Sequence, residues 1–221
     1  MAAMLVLAPI FEADMPQEQY AYRQNRNAQD AVREVIRLLR SGYSDTVDAD
    51  LASYFDSISH AELLKSVARR IVDRRVLHLI RMWLDAPVEE EDERGGKKRT
   101  TINRDSRQGI PQGSPVSPLF SNIYMRRFVL GWKQTGLEHR LGAQIVSYAD
   151  DLVICCRRDN APKALDAMRQ MILNPAVDAL KLGLGAGGWL LSWVGCGPRC
   201  SPAVFSSGRS RATAPQCVEC G

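Results

Sequence analysis

An α/β (α+β) fold, in which an antiparallel sheet is backed by amphipathic helices, is predicted by three features of the sequence. The run "QIVSYADDLVICC" (144–156) places two apolar strands around a tight acidic turn, the pattern of a β-hairpin. The run "DTVDADLASYFDSI" (45–58) alternates Val47, Ala49 and Leu51 with Asp48 and Asp50, the two-residue period of a strand. Around these strands lie segments whose apolar residues recur at helical spacing. With 221 residues, 45% of them hydrophobic and 24% charged, the chain can bury the core of one large domain or two small ones.

In chain order, "MAAMLVLAPIFEADMP" (1–16) has an apolar run but no basic start, so it does not read as a secretion signal. No later apolar run crosses a bilayer uninterrupted, and a cytoplasmic location with no membrane partner is expected. "NAQDAVREVIRLLRSG" (27–42) sets Val32, Val35, Ile36 and Leu39 at helical spacing, with Asn27 as N-cap and Gly42 past the end, which predicts a helix near 28–41. The strand at 45–51 then carries its carboxylates on one face, so Asp50 projects from the sheet. "SHAELLKSVARRIV" (59–72) pairs Ser59 with Glu62 as a capping box and predicts a helix near 60–72 with Leu63, Leu64, Val67, Ala68 and Ile71 inward. "PVEEEDERGGKKRTT" (87–101) is a hairpin turning at Gly95 and Gly96, one arm acidic and one basic, and reads as a solvated, self-neutralising arm. Ser117 and Pro118 open a helix over 118–130, and "NAPKALDAMRQMIL" a last one over 161–173.

A net charge of +4 and a sequence pI near 8.8 fit a nucleic-acid partner without demonstrating one. The cysteines, an adjacent pair at Cys155 and Cys156 and four more near the C-terminus, form no disulfide framework. Cys196, Cys200, Cys217 and Cys220 fall in two close pairs, which tetrahedral zinc would accept chemically, although the stretch between them is poorly patterned.

The chemistry centres on Asp50, Asp150 and Asp151. Adjacent carboxylates repel, so such a pair calls for a cation or an exposed tip. If Asp50 lies beside the hairpin, three carboxylates converge on one surface and suit two divalent cations roughly 3.5–4 Å apart, as in phosphoryl transfer. Oxygen ligands favour magnesium, with manganese as a substitute. Spacing alone leaves open that Asp50 caps a loop or pairs with an arginine, and that the acidic pair is a solvated turn.

"SRQGIPQGSPVSPLFSNIYM" (106–125), preceded by "DADLASYFDSI" and followed by "YADD", resembles the palm motifs of reverse transcriptases, most of all those encoded by bacterial group II introns. Three motifs in order carry the resemblance, which runs from Val6 to about Leu173 and includes the lead-in "VLAPIFEADMPQEQYAYRQNRNAQDAV". It implies a reverse-transcriptase palm over 44–173 with partial fingers and a lead-in helix over 1–43. It further implies that Asp50, Asp150 and Asp151 hold two magnesium ions, with the Leu51 carbonyl as a further ligand. Phe55 would lie under the incoming sugar and exclude a 2′-hydroxyl, Gln112 and Gly113 would line the nucleotide and template pocket, and Tyr148 would pack near the primer end. Read from the residues alone, Phe55 is equally a core ring, Tyr148 a strand residue and Gln112 a loop residue. Asp48 and Asp56 are read as structural or solvated.

The implied activity is RNA-directed DNA synthesis from deoxynucleoside triphosphates, an RNA template and a DNA primer, with group II intron RNA as a further partner. The alternatives are an inactive remnant and a non-enzymatic, maturase-type splicing cofactor. Against the family pattern, the basic fingers segment is expected to lie upstream of Met1, which leaves Arg23 and Arg26 as the nearby cations. Residues 174–221, rich in Gly, Ser, Cys and Trp, read as an aperiodic tail that resembles a shifted reading frame in place of a thumb.

Overall fold

The computed structural model describes residues 2–51, 53–91, 97–111, 113–173, 190–195 and 203–206. Its elements in chain order are α1 Ala2–Glu12, α2 Ala28–Arg40, β1 Asp45–Asp50, α3 Tyr54–Ser57, α4 His60–Ala68, α5 Arg74–Leu84, β2 Val88–Glu91 and β3 Lys97–Thr100. There follow α6 Ile102–Ser106, α7 Ser117–Gln134, α8 Leu137–Arg140, β4 Ala143–Tyr148, β5 Asp151–Cys156, α9 Ala161–Leu173, β6 Leu190–Gly195 and β7 Ala203–Ser206.

One antiparallel sheet, in the order β4-β5-β1-β6-β7, organises the molecule. Side chains alternate across each strand, so the two sheet faces have separate environments. The back face, with Val47, Ala49, Leu152 and Ile154, is covered by buried residues of α4, α7 and α9, among them Leu63, Phe128 and Met168. On the front face α2 packs over β4 and β5, where Ala31 and Leu38 meet Val146 and Cys155 in a small second cluster. Where β1 stops and β5 starts, Asp50 and Asp151 are exposed on this face.

Most predicted elements are present, and the differences have physical causes. α2 carries the Asn27–Asp30 capping box, but its buried stripe is Ala31 and Leu38, while Val32 and Ile36 are exposed. A small residue lets the helix approach the sheet closely, and the stripe follows Ala31. Ser59 precedes α4 without a side-chain cap bond, and the reciprocal half of the expected capping box is also missing, since the Glu62 carboxylate is drawn into ion pairs with Lys65 and Arg127. Ser117 is the first residue of α7, and its hydroxyl donates to the Pro111 carbonyl at 2.6 Å. β2 and β3 form the expected hairpin, whose turn lies outside the described residues. Within the stretch expected to be aperiodic, the described residues 190–195 and 203–206 form β6 and β7, with β6 paired along the whole of β1. A short apolar run bounded by glycines serves as a strand when a sheet edge is there to receive it, and periodicity alone does not reveal that.

Among the described residues, no helix is long and apolar enough to cross a membrane. Cys196, Cys200, Cys217 and Cys220 lie outside the described residues.

Candidate active site

β1 ends at Asp50, and its register with β5 sets Asp50 directly opposite Asp151. Residues opposite one another in an antiparallel pair project to the same face, here the front. Asp48, two residues earlier, shares that face, and all three residues are exposed. Asp150 occupies the turn between β4 and β5. The Leu51 N–H donates to the Asp150 carbonyl at 3.3 Å, tying the end of β1 to the hairpin tip. Ala149, the first turn residue, has φ +55°. A positive φ there suits the twist of a two-residue hairpin, but it is a costly conformation for a residue with a Cβ. Strain is thus concentrated one residue from the acidic pair.

Electrostatics tie these carboxylates together. Burial, then the charges of Asp150, Asp50 and Asp48 in that order, push the Asp151 carboxyl above its ordinary value. The donor set has the right chemistry for a hard divalent cation, which would relieve this repulsion. Among the described residues, however, no three His, Cys, Asp or Glu side chains are gathered into a group that could hold a metal ion. The carboxylates share an edge of negative charge; they are not a closed ligand cage.

The remaining predicted residues surround this edge. Leu51 is buried, and its carbonyl accepts from the Tyr54 N–H at 3.0 Å, which leaves the oxygen one further lone pair. Phe55, on α3, is half-buried against the main core with its ring edge-on to Tyr54 at 5.8 Å. Tyr148 ends β4 opposite Asp151 and packs against the small front cluster. Gly113 is exposed with φ +83° and open space where a Cβ would stand, so conformation and not crowding favours glycine there. Gln112 lies outside the described residues.

Three features escaped the sequence reading. Asp48 adds its charge to Asp151, although it was read as structural or solvated; its spacing of two from Asp50 was the available signal. Tyr22 lies in reach of the same edge, since burial, followed by Asp150 and Tyr148, raises its hydroxyl pKa. No periodic pattern marks it. His60 is buried, and its Nε2 donates to the Gly109 carbonyl at 2.7 Å, while its backbone N–H donates to Arg107 at 3.0 Å. With Gly109 N–H bonded to the Ile58 carbonyl at 2.9 Å and Ile110 N–H to the Phe55 carbonyl at 3.0 Å, this contact staples the loop before Gly113 to the segment bearing Phe55. Gly109 is required there: at φ +88°, an added Cβ would stand 2.9 Å from Asn103 Oδ1.

The two cations nearest the lead-in are engaged in structure. Arg23 pairs with Glu12 and donates to the Pro16 and Gln19 carbonyls at 2.6 and 2.9 Å. Arg26 donates to Gln17 and stacks over the Tyr20 ring.

The sequence matches the reverse transcriptase (RNA-dependent DNA polymerase) family over residues 1–179. It is 33% identical to Protein YkfC of Escherichia coli (strain K12) over 58% of this chain and 32% of that protein. It is 27% identical to the Group II intron-encoded protein LtrA of Lactococcus lactis subsp. cremoris, over 60% of this chain and 21% of that one. The chain thus spans about a third or less of these relatives' lengths. The fold resembles apo telomerase from Candida tropicalis truncated from its C-terminal domain, with a TM-score of 0.57 at 14% identity, over 95% of this chain and 40% of that one.

Proposed function

Because the chain belongs to the reverse transcriptase (RNA-dependent DNA polymerase) family, in its group II intron-encoded reverse transcriptase/maturase line, we propose that it carries the palm of an RNA-directed DNA polymerase of a group II intron-like retroelement. Its substrates would be deoxynucleoside triphosphates, added to a DNA primer along an RNA template. The observation that carries this reading is the register that faces Asp50 with Asp151 beside the strained turn holding Asp150.

Asp50, Asp150 and Asp151 would hold two magnesium ions, with manganese as a substitute and the free lone pair of the Leu51 carbonyl as a further ligand. When bound, such ions activate the primer 3′ oxygen for attack on the α-phosphate and neutralise the leaving pyrophosphate. The chain's own contribution is placement. The β1–β5 pairing fixes the carboxylates relative to each other, and the Leu51 to Asp150 hydrogen bond keeps the hairpin tip in register. Phe55 would close the space a 2′-hydroxyl needs, and the His60 staple sets its distance from the loop leading to Gln112 and Gly113. Tyr148, opposite Asp151, would pack against the primer end.

Primer extension on an RNA template with magnesium tests the reading. Asp150→Ala should lower extension by at least about 100-fold, the scale on which misplacement of reacting groups acts. Extension by Asp150→Ala at the rate of the unaltered chain would sink the site. A chain that binds template but extends no primer would favour a second reading, an intron RNA-binding splicing cofactor. That reading is supported by relatives named for intron maturation, such as Nuclear intron maturase 2, mitochondrial, of Arabidopsis thaliana.

A further inference from the structure

On the helical back of the sheet, the turn after α1, the end of α4 and the outer side of α7 enclose a cleft of about 480 Å³. Arg69, Arg70 and Arg126 line it, and Arg127 in its wall is paired with Glu62 at 2.8 Å. The one further carboxylate is Asp14. Arg70 grips it through two guanidinium nitrogens, while Arg126 donates through Nε–H to the Asp14 backbone carbonyl at 2.8 Å, with Nη2 3.9 Å from its carboxylate. Arg69 makes no ion pair or side-chain hydrogen bond among the described residues.

This arrangement exceeds a structural staple. Holding Asp14 in place needs one guanidinium, and the cleft assembles three against its single charge. The excess is felt inside it: burial lowers the Arg126 pKa, and although Asp14 raises it, the charges of Arg70 and Arg69 lower it further. Each guanidinium has five N–H donors in a planar fork. Arg69 and the unused edges of Arg70 and Arg126 therefore present donors toward one space, a geometry that suits phosphate oxygens. An anion there would remove the mutual repulsion.

The cleft is also separate from the carboxylate edge. α7 packs on the sheet face bearing Val47 and Ile154, whereas Asp50 and Asp151 project from the other. Nucleic acid held at the cleft would leave the carboxylates free.

We propose that this arginine cleft is a second nucleic-acid contact, binding the sugar-phosphate backbone of an RNA outside the template path. The choice of RNA as the polyanion rests on the reverse-transcriptase reading; the anion site itself does not.

The test measures binding of a labelled RNA hairpin across a salt series. Arg69→Glu removes no ion pair or side-chain hydrogen bond among the described residues, and Gln134→Glu adds a negative charge at the same cleft. Each should weaken RNA binding roughly 10-fold, and Arg69→Glu, which removes a cation that would face a phosphate, should also reduce the slope of log affinity against log salt by about 1. Arg158→Glu, an exposed reversal outside the cleft lining, should do much less. Unchanged affinity and slope in Arg69→Glu would overturn the proposal, as would an equal loss in Arg158→Glu, which would report net charge alone. Binding of polyglutamate in place of RNA would assign a protein partner and likewise overturn it. Primer extension is read separately with Asp150→Ala. Loss of the polymerase reading with RNA binding still sensitive to Arg69 would leave the cleft standing, and the converse result would remove the cleft alone.

Discussion

Asp151 lies in the field of Asp150, Asp50 and Asp48, and its carboxyl holds a proton more tightly in the folded chain than in the unfolded one. Between the ordinary aspartate value and the raised one, the folded state binds more protons, so stability falls as pH rises through that window. Asp151→Asn removes the charge at the centre of the cluster. The variant should melt slightly higher than the unaltered chain at neutral pH in a chelator, and should lose most of any stabilisation by magnesium, which acts through preferential binding to the folded state. Differential scanning calorimetry with and without magnesium checks both halves; an unchanged magnesium response would remove Asp151 from the metal-binding set. At this scale the sequence was most legible. The alternation through Asp48 and Asp50 puts them on one face, and the adjacency of Asp150 and Asp151 puts that pair at the hairpin tip. The contribution of Tyr22 was not legible, because it depends on where an irregular segment crosses the sheet.

Helices and strands were legible in proportion to their local signals. The Asn27–Asp30 capping box marks the start of α2 correctly, and the acidic hairpin appears with its turn at Ala149 and Asp150. α5, which the sequence reading passed over, carries a readable stripe in "RRVLHLIRMWL": Ile80 and Leu84 are fully buried, and Val76, Leu77 and Trp83 pack against the same core at helical spacing. Ser59 and Glu62 show why a local motif can mislead. Their spacing fits a capping box, but Glu62 joins α4 to α7 through Arg127, and the two side chains are only 11% and 9% exposed. Burial raises the Glu62 carboxyl, yet hydrogen bonds from Lys65 and Arg127 and their charges bring it below its ordinary value. The stability this pair confers is therefore present above the unfolded glutamate pKa and is lost as pH falls through the depressed one. Glu62→Gln leaves Arg127 without its carboxylate and should cost about 3 kcal/mol. Urea denaturation at neutral pH and at pH values below the glutamate range checks this: the gap between variant and parent should narrow in acid. A gap independent of pH would show that packing, not charge, joins α4 to α7.

For the molecule as a whole, the order of the sheet was the least legible feature, because pairing between β1 and β5 across roughly a hundred residues leaves no trace in local periodicity. The sequence divides the chain into residues 1–43, 44–173 and 174–221. The first of these segments does not pack by itself: Leu7 and Phe11 of α1 and Met15 belong to the same buried cluster as Val47, Tyr124, Trp132 and Met168. Asn122 of α7 donates to the Ala21 carbonyl at 2.8 Å, and Gln19 donates back to the Asn122 carbonyl at 3.1 Å, both buried. Ser147 of β4 exchanges backbone hydrogen bonds with the lead-in through Glu18 and Tyr20 at 2.8 and 2.9 Å. Such contacts should make the lead-in and the sheet unfold together, since a segment that shares one core with its neighbours cannot leave without exposing theirs. Phe11→Ala, which empties a side chain that is 3% exposed, should lower the stability of the whole unit by about 3–5 kcal/mol. Far-ultraviolet circular dichroism and the fluorescence of the chain's tryptophans, which include the fully buried Trp132 on α7, should report one transition shifted by the same amount. Two separated transitions, with the later one unmoved by Phe11→Ala, would show that residues 1–43 form an independent unit after all, and that the carboxylate edge is held by the sheet without help from the segment preceding it.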